Sequence, residues 1–229
     1  MTSVETHAGQ AVYTPLVLKL YDIWVLGLSN RFAWRTDTDA LVALYQTHMG
    51  PLHLDVGVGT GTLPWRALQR SSALRERLQQ LWLMDLNPES LAAAAKRLHS
   101  VAPHNLQHDI FDPAPVPLPA DLQLSSISAN YLLHCLPGGM AAKGAALTRL
   151  AGYLAPDGVL FGSTLLGDGP QTWLGQRLMA LYNRKGIFDN LSDDAPSLEQ
   201  VLSTGFSEVS IQRSGRAALF VAKYPRNKH

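Results

Sequence analysis

LHLDVGVGTGT, residues 52–62, is a short apolar strand that leads directly into three glycines at every second position. Because they lack a Cβ, Gly57, Gly59 and Gly61 let the backbone turn sharply and let a ligand approach the main chain. The spacing matches neither a dinucleotide-binding Gly-x-Gly-x-x-Gly nor a phosphate loop ending in Gly-Lys-Ser/Thr. Asp55 disfavours a pyrophosphate and favours a ligand with a positive charge or hydroxyl groups. The stretch predicts a loop for a nucleoside cofactor, and the alternative is a strand, turn and helix without a ligand.

A second acidic residue follows the next apolar strand, LWLM at 81–84. Asp85 comes at the end of this strand, and Pro88 suits the first turn of the helix predicted over 89–98. In a doubly wound sheet this strand end lies beside the glycine loop, so Asp85 is expected to accept hydrogen bonds from both ribose hydroxyls. The alternative is that Asp85 or Asn87 only caps the helix.

A third acidic residue, Asp109, follows the strand-like piece at 105–108. There a carboxylate can accept a hydrogen bond from the exocyclic amine of adenine, while Leu86 and Ile110 cover the two faces of the ring. The alternative is that Asp109 is an ordinary turn residue before the proline-rich segment 112–119.

In this order, the motifs at 55–61, 85–88 and 109–110 resemble those of the class I S-adenosylmethionine-dependent methyltransferases. Residues 128–137 (SANYLLHCLP) and 154–160 (LAPDGVL) look like the fourth-strand and fifth-strand signatures of the small-molecule branch, similar to the UbiE/Coq5-like enzymes. The resemblance covers roughly residues 50–165. It departs at 124–128 (LSSIS), where many relatives carry an Asp, so no carboxylate role is carried over there.

The resemblance implies S-adenosyl-L-methionine as the cofactor and S-adenosyl-L-homocysteine as its product. It gives Asp55 to the ammonium of the methionyl tail, directly or through water, and it adds Asn130 and Tyr131 to the cofactor site. The tail carboxylate needs a cationic or hydroxyl partner, for which Tyr21 and Arg35 are the candidates. The glycine loop contains no Lys or Arg, which agrees with a ligand that has no phosphate.

Methyl transfer from a sulfonium depends mainly on holding the donor and the acceptor in line, so a strong base is not required. If the acceptor is a phenol or an enol, His134 is the first candidate to take its proton, and Tyr21 is the second. The alternative for His134 is that it satisfies backbone groups beneath the cofactor.

Residues 167–190 are the best candidates for acceptor contacts, because they lie between the fifth strand and the last hairpin. With the amino-terminal aromatic residues they are expected to form an aromatic-lined pocket. The residues expected to line this pocket are Tyr13, Trp24, Trp34, Trp173, Asn183 and Phe188. The alternative is that these side chains are core residues of the cap.

The composition excludes several other classes of protein. The chain has 229 residues, of which 46% are hydrophobic, and 19 basic residues balance 18 acidic ones without a basic stripe, so nucleic-acid partners are not expected. The lone Cys135 excludes internal disulfides, and residues 1–7 are too polar for a secretion signal, so the expected location is the cytoplasm. His99, His104 and His108 are spaced too unevenly for a metal site, and none is expected.

The predicted fold is α/β, a doubly wound Rossmann-like sheet that is mainly parallel, with an antiparallel last strand and an amino-terminal helical cap. Helices are predicted at about 10–28 and 37–48 and from 62, 88, 140, 170 and 196, and strands at 52, 81, 105, 123, 158, 206 and 216. Residues 1–229 are expected to form one domain, with a cap (1–48), a cofactor-binding core (49–166) and acceptor-side helices with a carboxy-terminal hairpin (167–229). The apolar segment 16–28 contains two charges and is too short to span a membrane, so it is expected to cover the cofactor.

The sequence therefore predicts a cytoplasmic methyltransferase that acts at oxygen, nitrogen or carbon of a small molecule, such as a natural-product intermediate. Two alternatives stay open. One is an enzyme that binds the same cofactor but catalyses cyclisation or decarboxylation. The other is a non-catalytic accessory protein that binds a protein partner. A homodimer is also left open.

Overall fold

The computed structural model describes residues 32–169 and 172–226. Helices and strands alternate along most of this part of the chain. The helices are α1 (Thr38–His48), α2 (Thr62–Arg70), α3 (Ser72–Arg77), α4 (Pro88–Arg97), α5 (Met140–Leu150), α6 (Trp173–Arg184) and α7 (Ala195–Gly205). The strands are β1 (Leu52–Val56), β2 (Gln80–Asp85), β3 (His104–Gln107), β4 (Leu124–Asn130), β5 (Leu154–Leu165), β6 (Phe206–Ser214) and β7 (Ala217–Pro225). Short 3₁₀ turns lie at His99–Val101, Leu133–Cys135 and Ala151–Tyr153.

The described strands form one sheet in the order β3-β2-β1-β4-β5-β7-β6. Strands β1 to β5 pair in parallel, and β7 runs antiparallel between β5 and β6. The predicted α/β fold, mainly parallel with an antiparallel last strand, is confirmed. The chain order reverses between β1 and β4, and the carboxyl end of a sheet at such a point is where open α/β folds bind ligands.

Two apolar layers cover the faces of the sheet. On one face, α1, α2 and α4 pack buried side chains such as Leu41, Ala67 and Leu91 against the sheet. On the other face, α5 and α7 contribute Leu147 and Leu202 to a second cluster. Because the central strands are covered on both sides, side chains on both of their faces are buried, including polar ones such as His53, Asp55 and Ser128.

Most predicted elements lie within a few residues of their observed positions, with two differences. β5 begins at Leu154 rather than near 158, because its pairing with β4 shifts register and takes in the segment before Gly158. The short helix α3 was not predicted, although the Ser71 side chain caps it by accepting from the Leu74 amide. The helix predicted over 10–28 lies outside the described residues. Within 32–169 and 172–226, none of the helices is both long and apolar enough to cross a membrane.

Candidate cofactor and acceptor site

The glycine loop occupies the carboxyl end of β1, and its three glycines all have a left-handed backbone. Gly57, Gly59 and Gly61 have φ angles of 67°, 54° and 69°. A Cβ on Gly57 would lie 2.6 Å from the Leu132 side chain, and one on Gly61 would lie 3.1 Å from Ala94. A Cβ on Gly59 would meet no atom of the described residues within 4 Å. The protein itself therefore packs against the first and third glycines, whereas the middle one faces open space where a ligand can approach the main chain.

Asp85 at the end of β2 holds the glycine loop through backbone hydrogen bonds. Its Oδ2 accepts from the Gly59 amide at 3.1 Å, and its Oδ1 accepts from the Asn87 amide at 2.9 Å. Burial raises the pKa of Asp85, and these backbone donors partly oppose the increase. The Asn87 side chain caps α4, because its Oδ1 accepts from the Glu89 amide at 2.9 Å. Asp85 thus lies beside the loop, as predicted for a ribose ligand, and also fixes the position of the loop.

The ends of β2 and β3 lie side by side, which brings the predicted adenine-binding residues to the same edge of the sheet. The Leu86 carbonyl accepts from the Gln107 side chain at 3.2 Å. Ile110 is buried and Leu86 is half-buried. The half-buried Asp109 accepts from the Phe111 amide through Oδ1 at 2.9 Å, so it also has the turn role that was the alternative.

Asp55 does not line the surface of the site. It is only 1% exposed, and it lies below the loop with both carboxylate oxygens occupied. The Tyr45 hydroxyl donates to Oδ2 at 2.9 Å, and the Ser128 hydroxyl donates to Oδ1 at 2.8 Å. Burial raises the pKa of Asp55 to about 7, although these two hydrogen bonds lower it. Neither Tyr45 nor Ser128 was predicted as a partner of Asp55, because they come from α1 and β4.

The end of β4 carries a polar group that agrees with a bound ligand. Asn130 Oδ1 accepts from the Ser163 hydroxyl at 2.9 Å. Its amide nitrogen Nδ2 is buried, faces the Tyr45 hydroxyl, and completes no hydrogen bond in the part of the chain that the structure describes. Tyr131 follows with a left-handed φ of 55°. A buried donor without a partner is costly, so a ligand acceptor at this position would remove the cost. Together with the open space at Gly59 and the carboxylate of Asp85, this donor fits the polar groups of an adenosyl amino acid.

His134 is buried among aromatic side chains behind the end of β4. Its Nδ1 lies 3.4 Å from the Leu165 amide, from which it accepts, and its ring meets that of Phe188 edge-on at 4.6 Å. Burial, with a smaller effect of Lys143, lowers the pKa of His134 to about 3. The imidazole is therefore neutral, and its acceptor nitrogen is engaged by the backbone. This arrangement agrees with the alternative in which it satisfies a backbone group.

The structure brings only some of the predicted acceptor residues together. Phe188 packs against Trp34 at 6.3 Å and against Tyr182 at 4.9 Å between ring centroids. Asn183 bonds instead to Asn190, at 3.1 Å. Trp173 is 67% exposed and stacks on the guanidinium of Arg177 rather than joining this cluster.

The remaining predicted residues belong to the amino-terminal segment. Arg35 has an exposed side chain, and its backbone packs against Gly215 in the turn between β6 and β7. Tyr13, Tyr21 and Trp24 lie outside the described residues.

A buried ion pair that the sequence did not reveal holds the segment that carries Phe188. The Lys143 ammonium on α5 donates to Asp193 Oδ2 at 2.7 Å, and both side chains are fully buried. Lys143 also donates to the carbonyl of Asp189, whose amide donates to the carbonyl of His134 at 2.9 Å. These bonds fix residues 188–193 against the ends of β4 and β5.

Comparison with known proteins gives consistent matches. Residues 54–160 match the family model described as a methyltransferase domain. The chain is 40% identical over 200 residues to the putative uncharacterized protein YbcY of Escherichia coli K12, covering 86% of this chain and 98% of that one. It is 34% identical over 223 residues to the physcion biosynthesis cluster O-methyltransferase of Aspergillus chevalieri, covering 96% and 97%. It is 35% identical over 260 residues to the O-methyltransferase NEC2 of Pyricularia oryzae, covering 100% and 97%.

Solved structures share the fold. A complex of DhpI with S-adenosyl-L-homocysteine superposes with a TM-score of 0.64 at 16% identity, covering 97% of this chain and 98% of that one. The O-methyltransferase NcsB1 from neocarzinostatin biosynthesis superposes with a TM-score of 0.61 at 17% identity, covering 91% and 58%.

Proposed function

Because this chain belongs to the class I S-adenosylmethionine-dependent methyltransferases, we propose that it methylates a hydroxyl group of a small aromatic natural product. The relatives named O-methyltransferases, two of which match over at least 96% of this chain, support transfer to oxygen. The cluster of Phe188, Trp34 and Tyr182 supports an aromatic acceptor. The SANYLLHCLP segment supports a place near the UbiE/Coq5-like branch.

The observation that carries the proposal is the glycine loop, where a Cβ on Gly59 would meet no atom of the described residues within 4 Å and the Gly59 amide donates to the Asp85 carboxylate. S-Adenosyl-L-methionine is the cofactor, and it supplies an electrophilic methyl group on a sulfonium. Asp85 is proposed to accept from the ribose hydroxyls, and Asn130 Nδ2 to donate to an acceptor atom of the cofactor. The adenine ring of the cofactor is proposed to lie between Leu86 and Ile110.

The chain's own contribution is positioning and the exclusion of water. The fully buried bond between Lys143 and Asp193 holds the segment that carries Phe188. Trp34 and Phe188 are buried core residues, so the half-buried Tyr182 is the member of the cluster that is proposed to contact the acceptor. His134 shares its acceptor nitrogen with the Leu165 amide, so proton removal is not assigned to it. An acceptor hydroxyl that is already acidic, such as a phenol, fits a site that acts by orientation.

We also propose that the protein works in the cytoplasm on a small molecule rather than on nucleic acid. The near balance of 19 basic and 18 acidic side chains supports a small-molecule acceptor, because nucleic-acid binding depends on a concentrated positive charge. The single cysteine supports a reducing compartment such as the cytoplasm.

Two measurements test the proposed function. Calorimetry with S-adenosyl-L-homocysteine should show binding by the parent protein, and Asp85→Ala should weaken it by about 1.5 to 3 kcal/mol, the range for hydrogen bonds to a charged group. Asp157→Asn, a change of an exposed carboxylate on β5, is the matched control and should bind like the parent. Unchanged affinity of Asp85→Ala would remove Asp85 from the ribose.

The second measurement is release of S-adenosyl-L-homocysteine from S-adenosyl-L-methionine in the presence of hydroxylated aromatic compounds, with the methylated product identified by mass spectrometry. Consumption of an acceptor without its methylation would favour the cyclase or decarboxylase alternative. Cofactor binding without any turnover across the compounds would favour an accessory protein.

A further inference from the structure

We propose that Tyr45, Ser128 and His53 are positioning residues that keep Asp55 a charged hydrogen-bond acceptor beneath the glycine loop, so that the buried charge favours the sulfonium cofactor over its uncharged-sulfur product. This preference rests on the proposed function, because it needs the adenosyl cofactor to lie on the loop. Its consequence is that the product leaves more readily than the substrate form of the cofactor.

The first support is a continuous chain of buried hydrogen bonds across three elements. Tyr45 on α1 and Ser128 on β4 each donate a hydroxyl to one oxygen of Asp55, at 2.9 and 2.8 Å. His53 on β1 lies next in the chain, with Nε2 at 3.0 Å from the Ser128 hydroxyl and Nδ1 at 2.7 Å from the Ser126 hydroxyl. All five side chains are buried.

The second support is the direction of these hydrogen bonds. When the Ser128 hydroxyl donates its single hydrogen to Asp55 Oδ1, it can only accept from His53 Nε2; Nδ1 then accepts from the Ser126 hydroxyl, which itself accepts from the Gly50 amide at 2.7 Å. His53 then carries its proton on Nε2 and donates it to Ser128, whose own hydrogen points at Asp55. Every donor in the chain is satisfied when Asp55 accepts at both oxygens and carries no proton. The reverse direction requires a proton on Asp55 and on Nδ1 of His53.

The third support is that no cation of the described residues pairs with Asp55. Among residues 32–169 and 172–226, Asp55 forms no ion pair. The titratable groups that face it are the Tyr45 phenol, the His53 imidazole and, at the next strand end, the carboxylate of Asp85. Burial raises the pKa of Tyr45 and lowers that of His53 to about 3, so both are neutral at physiological pH. An unneutralised charge in a buried, low-dielectric setting acts over a longer distance than one in water, and a cation on the loop above it is stabilised.

The test compares two ligands that differ in one positive charge. Dissociation constants for S-adenosyl-L-methionine and S-adenosyl-L-homocysteine are measured by calorimetry between pH 6 and 8.5 for the parent protein and for Asp55→Asn. Burial raises the pKa of Asp55 to about 7. We therefore expect the preference of the parent for S-adenosyl-L-methionine over S-adenosyl-L-homocysteine to rise about tenfold as the pH increases through neutrality. The comparison with Asp55→Asn removes the effect of protonation of the ligands themselves, because that effect is the same in both proteins.

Two conservative variants separate positioning from a merely structural role. Tyr45→Phe and Ser128→Ala each remove one hydrogen bond to the carboxylate, so each should move the midpoint of the pH profile upward by about one unit. Thr164→Val is the matched control, because it removes a buried β5 hydroxyl that has no partner in the described part of the chain. Its profile should equal that of the parent.

The possible outcomes are distinct. Absence of binding of either ligand by the parent would refute the proposed function itself. Binding by both proteins with the same ratio of affinities at every pH would overturn the role of Asp55 and leave the proposed function intact. If Asp55→Asn does not fold, nitrogen NMR of the parent decides, because Nε2-protonated His53 at pH 8 supports the chain of donors and Nδ1-protonated His53 overturns it.

Discussion

Replacing Lys143 by Met should destabilise the protein strongly, because it leaves a buried carboxylate without its cation. The Lys143 ammonium is fully buried on α5 and lies 2.7 Å from Asp193 Oδ2, itself fully buried. The other oxygen, Oδ1, has no hydrogen-bond partner in the described part of the chain. Asp193 therefore has no second donor that takes over when the lysine is lost.

Breaking a buried pair on one side typically costs about 3 to 5 kcal/mol, whereas replacing both partners with apolar residues is often close to neutral. A domain of this kind has about 5 to 15 kcal/mol of total stability, so the single change should remove about a fifth of it or more. The double variant Lys143→Met/Asp193→Leu should recover at least about 2 kcal/mol relative to the single variant, since no charge is left unpaired.

Urea unfolding, followed by circular dichroism and by tryptophan fluorescence, measures these differences. The control is Arg213→Met, which removes the partner of Asp168 in a pair 2.6 Å apart whose two side chains are 39% and 49% exposed. An exposed pair of this kind contributes at most about 1 kcal/mol. The reasoning fails if Lys143→Met costs no more than Arg213→Met, or if the double variant is as unstable as the sum of its two single variants.

Three further outcomes are expected. Gly59→Ala and Gly61→Ala both place an L-residue at a left-handed φ and should each lower the free energy of unfolding by about 1 kcal/mol or more. Only Gly59→Ala should also weaken S-adenosyl-L-homocysteine binding measured by calorimetry, because its methyl group enters the open space above the loop, and equal losses would contradict that placement. His134→Gln should make stability less sensitive to acid: the pKa of His134 lies near 3, so its stabilising effect is complete above about pH 6.5 and declines as the pH falls. The difference between the free energies of unfolding at pH 7 and pH 5 should be about 2 kcal/mol smaller in this variant than in the parent. Asp109→Asn should weaken the same calorimetric binding less than Asp85→Ala does, because only one predicted hydrogen bond changes.

The fold and the edge of the sheet that carries the site were predictable because their signals are local. Glycines directly after an apolar strand favour a turn wherever that strand lies in the sheet. An acidic residue at the end of a strand lies at the edge of the sheet where that strand ends. The alternation of strands and helices then requires parallel pairing, which brings Gly59, Asp85 and Asp109 to one edge. None of these inferences needs contacts between distant parts of the chain.

The side-chain partners of the site were not predictable, since they come from distant parts of the sequence. Asp55 stands two residues before the glycine loop and therefore suggested direct ligand contact. Its carboxylate instead turns toward Tyr45, 10 residues earlier, and Ser128, 73 residues later. The partner of Lys143 lies 50 residues further along the chain. Trp173 was predicted to line an acceptor pocket because it lies in the segment between β5 and the last hairpin, yet it stacks on Arg177 at the surface.

The two acids at the loop are held in different ways, and this separates the shape of the site from its charge. Asp85 accepts from the backbone amides of Gly59 and Asn87, so any chain with this loop and strand end offers the same donors. Asp55 depends on hydroxyl side chains from α1 and β4, and these determine how readily it gives up its proton. A glycine loop of identical spacing above a carboxylate that lacks such donors would keep its shape and bind a neutral ligand as well as a cation. The preference for a sulfonium therefore has to be encoded outside the loop, in residues that the glycine motif does not contain.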